Sequence, residues 1–173
     1  MKRRLGVNLI APALALLVLL ADQVTKNLVV HLLPEGQSWD LAPWLSPFMR
    51  VTHVTNTGVA FGMFKGAGAL FSVVAAVVVV VILLYQRQLP SEQWQMRVAL
   101  GLMLGGAIGN NLIDRPRLGY VTDFIDLNFW PLREWPVSNV ADVSIVTGAV
   151  LLGVVLIWEE RQARQKQRLA EQA

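Results

Sequence analysis

The chain has 173 residues, 54% of them hydrophobic and only 16% charged, with a net charge of +3 and no cysteine. That balance is too apolar for an ordinary water-soluble domain and places the chain among integral membrane proteins. The absence of cysteine excludes disulfides, thiolate metal sites and cysteine nucleophiles, and the basic residues cluster at the chain ends and in one short loop. No basic stripe exists that could track nucleic acid, so the charges read as topology signals.

Leu5 to Ala21 carries no charge and continues past Asp22 into Leu28-Val29-Val30, which predicts a first span over 5–30. Lys2-Arg3-Arg4 before it could open a signal peptide, but Ala21 leads straight into Asp22-Gln23 with no small-x-small exit, so the expectation is a retained helix. Residues 31–66 form a loop broken up by Pro34, Gly36, Pro43 and Pro47. Within it Met49-Arg50-Val51-Thr52-His53-Val54-Thr55 is β-branched and alternates in polarity, which predicts a strand. A second span follows over 67–85, with Val77 to Val81 at its centre. Arg87 and Arg97 bracket a short loop before a glycine-rich third span over 97–114. A loop over 115–140 and a fourth span over 141–159 complete the membrane part, each span being close to the roughly 17–25 apolar residues a crossing needs. The tail, 160–173, is polar and rich in helix formers, so it extends the last helix. The fold class expected is an all-α polytopic membrane protein, four transmembrane helices with a small extracytoplasmic β element, as a single domain over 1–173.

Lysine and arginine bias sets the orientation. Lys2, Arg3 and Arg4, then Arg87 and Arg97, then Arg161, Arg164, Lys166 and Arg168 share one side of a four-span chain, the cytoplasm. The two longer loops, of mixed charge, face outward. All six tryptophans lie in loops or at span ends, as an interfacial belt requires; Trp130 and Trp135 are close enough in sequence to the aspartates below to line a site.

Five polar clusters gather at the outer ends of the spans. In Asp22-Gln23-Val24-Thr25-Lys26 the two charges are four apart and share a helix face, as an anchoring ion pair would. In Asn56-Thr57-Gly58-Val59-Ala60-Phe61-Gly62 the glycines permit either a turn or a close approach to a ligand. Gly101, Gly105 and Gly109 recur every four residues and make a smooth face for helix packing; Asn110, Asn111, Asp114 and Arg115 then close the span as a local ion pair or a polar network. Asp123 lies in the outer loop with Asp126 as an alternative. Asp142 lies three residues after Asn139, where a capping asparagine and a carboxylate suit the positive end of a helix. Carboxylates at this depth are costly, and two that converge can split a peptide bond with water.

Other chemistries find less support. His31 and His53 are the only histidines and no His-Glu-x-x-His occurs, so a zinc hydrolase is poorly served. No Gly-x-Ser-x-Gly elbow, Walker loop or dinucleotide fingerprint is present. A transporter would place carboxylates near the midplane, and an assembly factor would give no reason for polar clusters on one side.

These clusters, in this order, resemble the lipoprotein signal peptidases (signal peptidase II), the bacterial membrane aspartic endopeptidases of family A8. The resemblance rests on Asp22-Gln23-x-Thr25-Lys26, Asn56-x-Gly58-x-Ala60-Phe61-Gly62, Gly105 to Asn110 with Asp114-Arg115, Val121-x-Asp123-Phe124-x-Asp126, and Asn139-x-Ala141-Asp142. It implies Asp123 and Asp142 as the catalytic pair rather than Asp126. Asn56, Gly58, Asn111, Asp114, Arg115, Asn139 and Ala141 fall around the site, and Asp22 and Lys26 support it. It implies both termini in the cytoplasm, in the bacterial cell membrane, and an active site near the outer surface. The partners implied are diacylglyceryl-modified prolipoproteins and membrane lipids, with no cofactor, no metal and no nucleic acid. It further implies inhibition by globomycin-type antibiotics, and a monomer is the default state. One departure is visible: the family spacing is Gly-Asn, two residues, Asp-Arg, whereas Asn110-Asn111 leave one residue too many here. An extra residue turns a helix by about 100°, so one asparagine faces the site unless a bulge absorbs the difference, and counting back from Asp114 favours Asn111.

Overall fold

A computed structural model describes residues 6–58 and 67–172. Lys2, Arg3, Arg4, Lys65 and the Val59–Gly62 part of the second polar cluster lie outside the described residues. Among the described residues, four helices are long and apolar enough to cross a membrane. They are α1 (Ile10–Leu32), α2 (Gly68–Gln88), α3 (Trp94–Ala107) with its continuation, and α5 (Val140–Glu171). The continuation of α3 is a π-helix, Ile108–Asp114, followed by the single turn α4 (Arg115–Leu118). The valine-rich α2 would suit a strand in water. In lipid every backbone N–H and C=O must find its partner within the segment, and that requirement selects helix.

The third span is the hub: 61% of its apolar window is buried, against 17% for α2. Its glycines explain how. A Cβ on Gly105 would stand 2.6 Å from Ala15 O, and one on Gly101 2.8 Å from Ala11 O, so α1 lies directly on the α3 backbone. On the other side Gly106 meets Ala141 O, and Gly148 of α5 meets Ala99 O. The packing role expected for Gly101 and Gly105 is thus met against α1, and Gly106 and Gly148 add a second close contact between α3 and α5, as small residues allow in membranes. Leu16, Leu17, Leu20, Val73, Val77, Val80, Val150 and Val154 stay exposed and form the lipid-facing rim. At about 1.5 Å per residue, α5 is longer than the roughly 30 Å hydrocarbon layer. Its polar end therefore projects beyond the layer as the expected extension, where Arg164 pairs with Glu160 at 2.6 Å.

At the opposite end sits a three-stranded antiparallel sheet in the order β1 (Ser38–Trp39), β2 (Met49–Asn56), β3 (Val121–Leu127). β2 is the strand expected from the alternating pattern. β3 is a correction to the loop expected over 115–140. Val121 to Phe124 are all buried, so no alternation marks them. Gly119, at φ 81°, turns the chain from α4 into β3 in the left-handed region that suits glycine. A bulge between Val51 and Val54 shifts the β2–β3 register, leaving Arg50 opposite Asp126 and Val54 opposite Asp123. Ser138 bridges to Ile125 and so ties the start of α5 to the strand.

Candidate active site

Side chains alternate across a strand, so Asp123 and Asp126, three residues apart, point to opposite faces. Asp126 turns outward, accepting hydrogen bonds from Arg50 Nε at 2.8 Å and Thr52 Oγ1 at 2.7 Å. Asp123 turns inward and is 2% exposed. Asn56, two residues on from Val54 and on the same face as Asp123, donates its Nδ2 to Asp123 Oδ2 at 2.9 Å.

Asn139 and Asp142 form a capping box at the start of α5: Asp142 N donates to Asn139 Oδ1 at 2.9 Å, and Asn139 N to Asp142 Oδ2 at 3.2 Å. Capping and site-building coincide here. With its oxygen held by a backbone N–H, the Asn139 amide must turn its NH2 the other way, and it donates to Asp123 Oδ1 at 2.6 Å. One fully buried side chain therefore joins both aspartates.

The extra residue in the third span is absorbed by the π-helix, whose i→i+5 bonding adds a residue to the turn. Both asparagines consequently line the same cavity. The preference for Asn111 needs correcting in one respect: Asn110 is the asparagine that bonds to Asp142, donating Nδ2 to its Oδ1 at 2.7 Å. Asn111 accepts instead from Arg115 Nε at 3.1 Å. Arg115 also donates to Gly58 O and rests over the Phe71 ring, 5.7 Å from its centroid. Asp114 and Arg115, adjacent in sequence, part company. Asp114 accepts from Lys26 Nζ at 2.6 Å and from Gln23 Nε2 at 2.9 Å.

The expected Asp22–Lys26 pair is present at 2.7 Å, with both residues buried. Lys26 Nζ has three hydrogens and three acceptors, Asp22 Oδ2, Asn110 Oδ1 and Asp114 Oδ2. The other oxygen of Asp22 accepts from Ala141 N at 3.0 Å, which fixes α1 against the first turn of α5. Gln23 stands in the first polar cluster and in the motif of the resemblance without a role of its own there, and nothing in the sequence marks Phe71.

Asp123 and Asp142 open onto a cavity of about 310 Å³ with Asn56, Asn110, Asn111 and Arg115 on its polar side. Trp135, Pro136, Val137, Ile145 and Val146 make its apolar wall. Trp130 stays 89% exposed and away from it. Burial, and then the neighbouring Asp142 charge, push the Asp123 carboxyl up to about 7, against the hydrogen bonds from Asn56 and Asn139 and the charge of Lys26. Asp123 can thus hold a proton near neutral pH beside a second carboxylate, the arrangement in which one group gives a proton while the other takes one. Among the described residues no three His, Cys, Asp or Glu side chains cluster as metal ligands.

The sequence profile described as Signal peptidase (SPase) II matches residues 14–158 of the chain. The chain belongs to the signal peptidase II family. The matched stretch runs from α1 through most of the α5 span and contains every polar residue of the cavity. A lipoprotein signal peptidase of Moorella thermoacetica is 43% identical over 139 residues, covering 80% of this chain and 87% of the relative. One from Teredinibacter turnerae is 41% identical over 149 residues, covering 84% and 83%. Among solved structures, a bacterial membrane enzyme determined by the in meso method at 2.3 Å superposes with a TM-score of 0.79 at 29% identity, covering 87% of this chain and 88% of that one. The fold is therefore shared with a solved bacterial membrane enzyme.

Proposed function

We propose that the protein is an aspartic endopeptidase that removes the signal peptide from prolipoproteins, cutting just before a diacylglyceryl-modified cysteine. The observation that carries this reading is the Asn139 side chain, bonded to Asp123 through its NH2 and to the Asp142 backbone through its oxygen, which brings two carboxylates to one cavity. In the proposed reaction the ionised aspartate takes a proton from water as the water oxygen attacks the scissile carbonyl. The protonated aspartate hydrogen-bonds to the carbonyl oxygen. The tetrahedral intermediate then collapses, the C–N bond breaks, and the leaving amine takes up a proton from the dyad. One water is consumed, and the products are a carboxylic acid and an amine. Which aspartate carries the proton belongs to the pair rather than to either member.

The family membership supports a prolipoprotein substrate, since the relatives are lipoprotein signal peptidases. The site at the span ends suits a signal peptide whose apolar stretch lies in the bilayer while its cleavage site emerges at the surface. Arg87 and Arg97, at the ends of α2 and α3 that flank their short loop, and the arginines of the α5 tail support cytoplasmic termini in the bacterial cell membrane, with the cavity at the outer surface. Monomeric action and inhibition by globomycin-type antibiotics belong to the same reading. The test is cleavage in detergent of one precursor with and without the diacylglyceryl group. Cutting of the modified form alone, at the bond before its cysteine, is expected; equal cutting of both forms would remove the lipid from the assignment.

A further inference from the structure

An asparagine amide has two ends of nearly equal size, and its partners decide which way it points. Three such amides touch the dyad. Asn139 is set by the backbone N–H of Asp142 at 2.9 Å, and Asn56 by that of Gly58 at 3.0 Å. These donors are part of the main chain and cannot be removed by changing a side chain. Asn110 differs, because its oxygen is held by the ammonium of Lys26. An ammonium has donors only, so the atom beside it must be Oδ1, and Nδ2 is left to face Asp142 Oδ1 at 2.7 Å and Asn139 Oδ1 at 3.4 Å. In the flipped amide two donors would meet at Lys26 and two acceptors at Asp142. Lys26 is in turn immobilised, 5% exposed and with all three hydrogens engaged.

We propose that Lys26 is a positioning residue for the reaction: through Asn110 it fixes a donor on Asp142, although it does not touch the substrate cavity itself. This rests on the dyad reading above. The wiring passes from α1 through the π-helix to α5. It separates the duties of the two asparagines. Asn110 serves Asp142 and Asn111 serves Arg115.

The test is a double-mutant cycle on turnover of the lipid-modified precursor, with Lys26→Met, Asn110→Ala and the pair. Each single change is expected to lower kcat roughly 10- to 100-fold with KM unchanged, the size usual for the loss of an outer partner of a reacting group. The double variant is expected to be no slower than Asn110→Ala alone. Multiplying losses, or a loss confined to KM, would overturn the wiring. Lys26→Met leaves Asp22 and Asp114 facing each other without a cation, and it can fail to fold. Asn110→Asp then decides, since its carboxylate still accepts from Lys26 but offers no NH2 to Asp142; wild-type kcat in that variant would overturn the inference. Asp123→Asn and Asp142→Asn run in the same assay keep the two readings apart. If both are dead and Lys26→Met turns over normally, the wiring alone falls; if either turns over normally, the dyad itself falls.

Discussion

At the end of the bundle away from the sheet, Arg97 is 3% exposed and gives its guanidinium to the carbonyls of Gln86 at 3.0 Å and Leu89 at 2.6 Å. At the sheet end Asp22, Lys26, Asn110, Asp114, Asp123 and Asn139 are just as buried, but they bond chiefly to one another. Burial of charge is therefore common to both ends, and the destination of the donors differs. Arg97 ties off carbonyls that the last turn of α2 leaves without helical partners. At the sheet end backbone N–H groups and the Lys26 ammonium hold the oxygens of three amides, whose NH2 groups converge on two carboxylates beside a cavity. The first pattern closes a helix; the second holds two carboxylates in place beside the cavity.

Asp142→Asn should separate these patterns most sharply. The new amide keeps one oxygen that can accept from Asn139 N, so the cap survives, while its NH2 meets the NH2 of Asn110, and stability should fall by about 1–3 kcal/mol. Turnover should fall about 10²- to 10⁴-fold, the range of a lost general acid or base. A large fall in melting temperature with kcat preserved would reduce Asp142 to its capping role.

A pH series comes next in size. Asp123 is pushed up to about 7 by burial and by the Asp142 charge, so kcat/KM should drop about tenfold per unit once pH passes the point where the shared proton leaves. The same shift bears on stability with a definite sign. The folded state holds a proton that the unfolded chain sheds near the ordinary value of 3.8, so this stabilisation is full below that value and is lost as pH rises through about 7. A flat profile between pH 6 and 9, bounds chosen about one to two units either side of that value, would speak against a shared proton.

Arg97→Met tests the other end. Gln86 O and Leu89 O would lose their donors, at a cost of about 1–3 kcal/mol in stability, measurable as a lower unfolding midpoint in detergent. The kcat of the folded enzyme should stay as it was, because Arg97 lies at the far end of the third span from the cavity. A selective loss of kcat would join the two ends functionally.

The spans were legible because lipid demands long, internally bonded apolar segments, a signal that survives in any single sequence. The strand at β2 was legible because its faces differ. β3 was not, since both faces of Val121 to Phe124 are covered and the period-2 signal vanishes. Without that signal the residues alone do not sort Asp123 from Asp126, and only the family resemblance distinguishes them. Strand parity now puts them on opposite faces. The surplus residue at Asn110-Asn111 was visible as a count, and a bulge was the way to absorb it. That the bulge would turn Asn110 onto Asp142 depends on how α1 and α5 pack around it, which local sequence does not encode. Asp114 illustrates the same limit, since its neighbour Arg115 is adjacent in the chain while its partners Lys26 and Gln23 come from α1.

The most direct measurement is cleavage of a lipid-modified precursor by Asp123→Asn and Asp126→Asn side by side. Both change a carboxylate on one strand, but one faces the cavity and the other an exposed arginine. Asp123→Asn should lose about 10²- to 10⁴-fold in kcat, whereas Asp126→Asn should stay within about twofold of wild type, as loss of a surface ion pair allows. Equal losses in the two variants, or wild-type turnover by Asp123→Asn, would contradict a dyad built from Asp123 and Asp142.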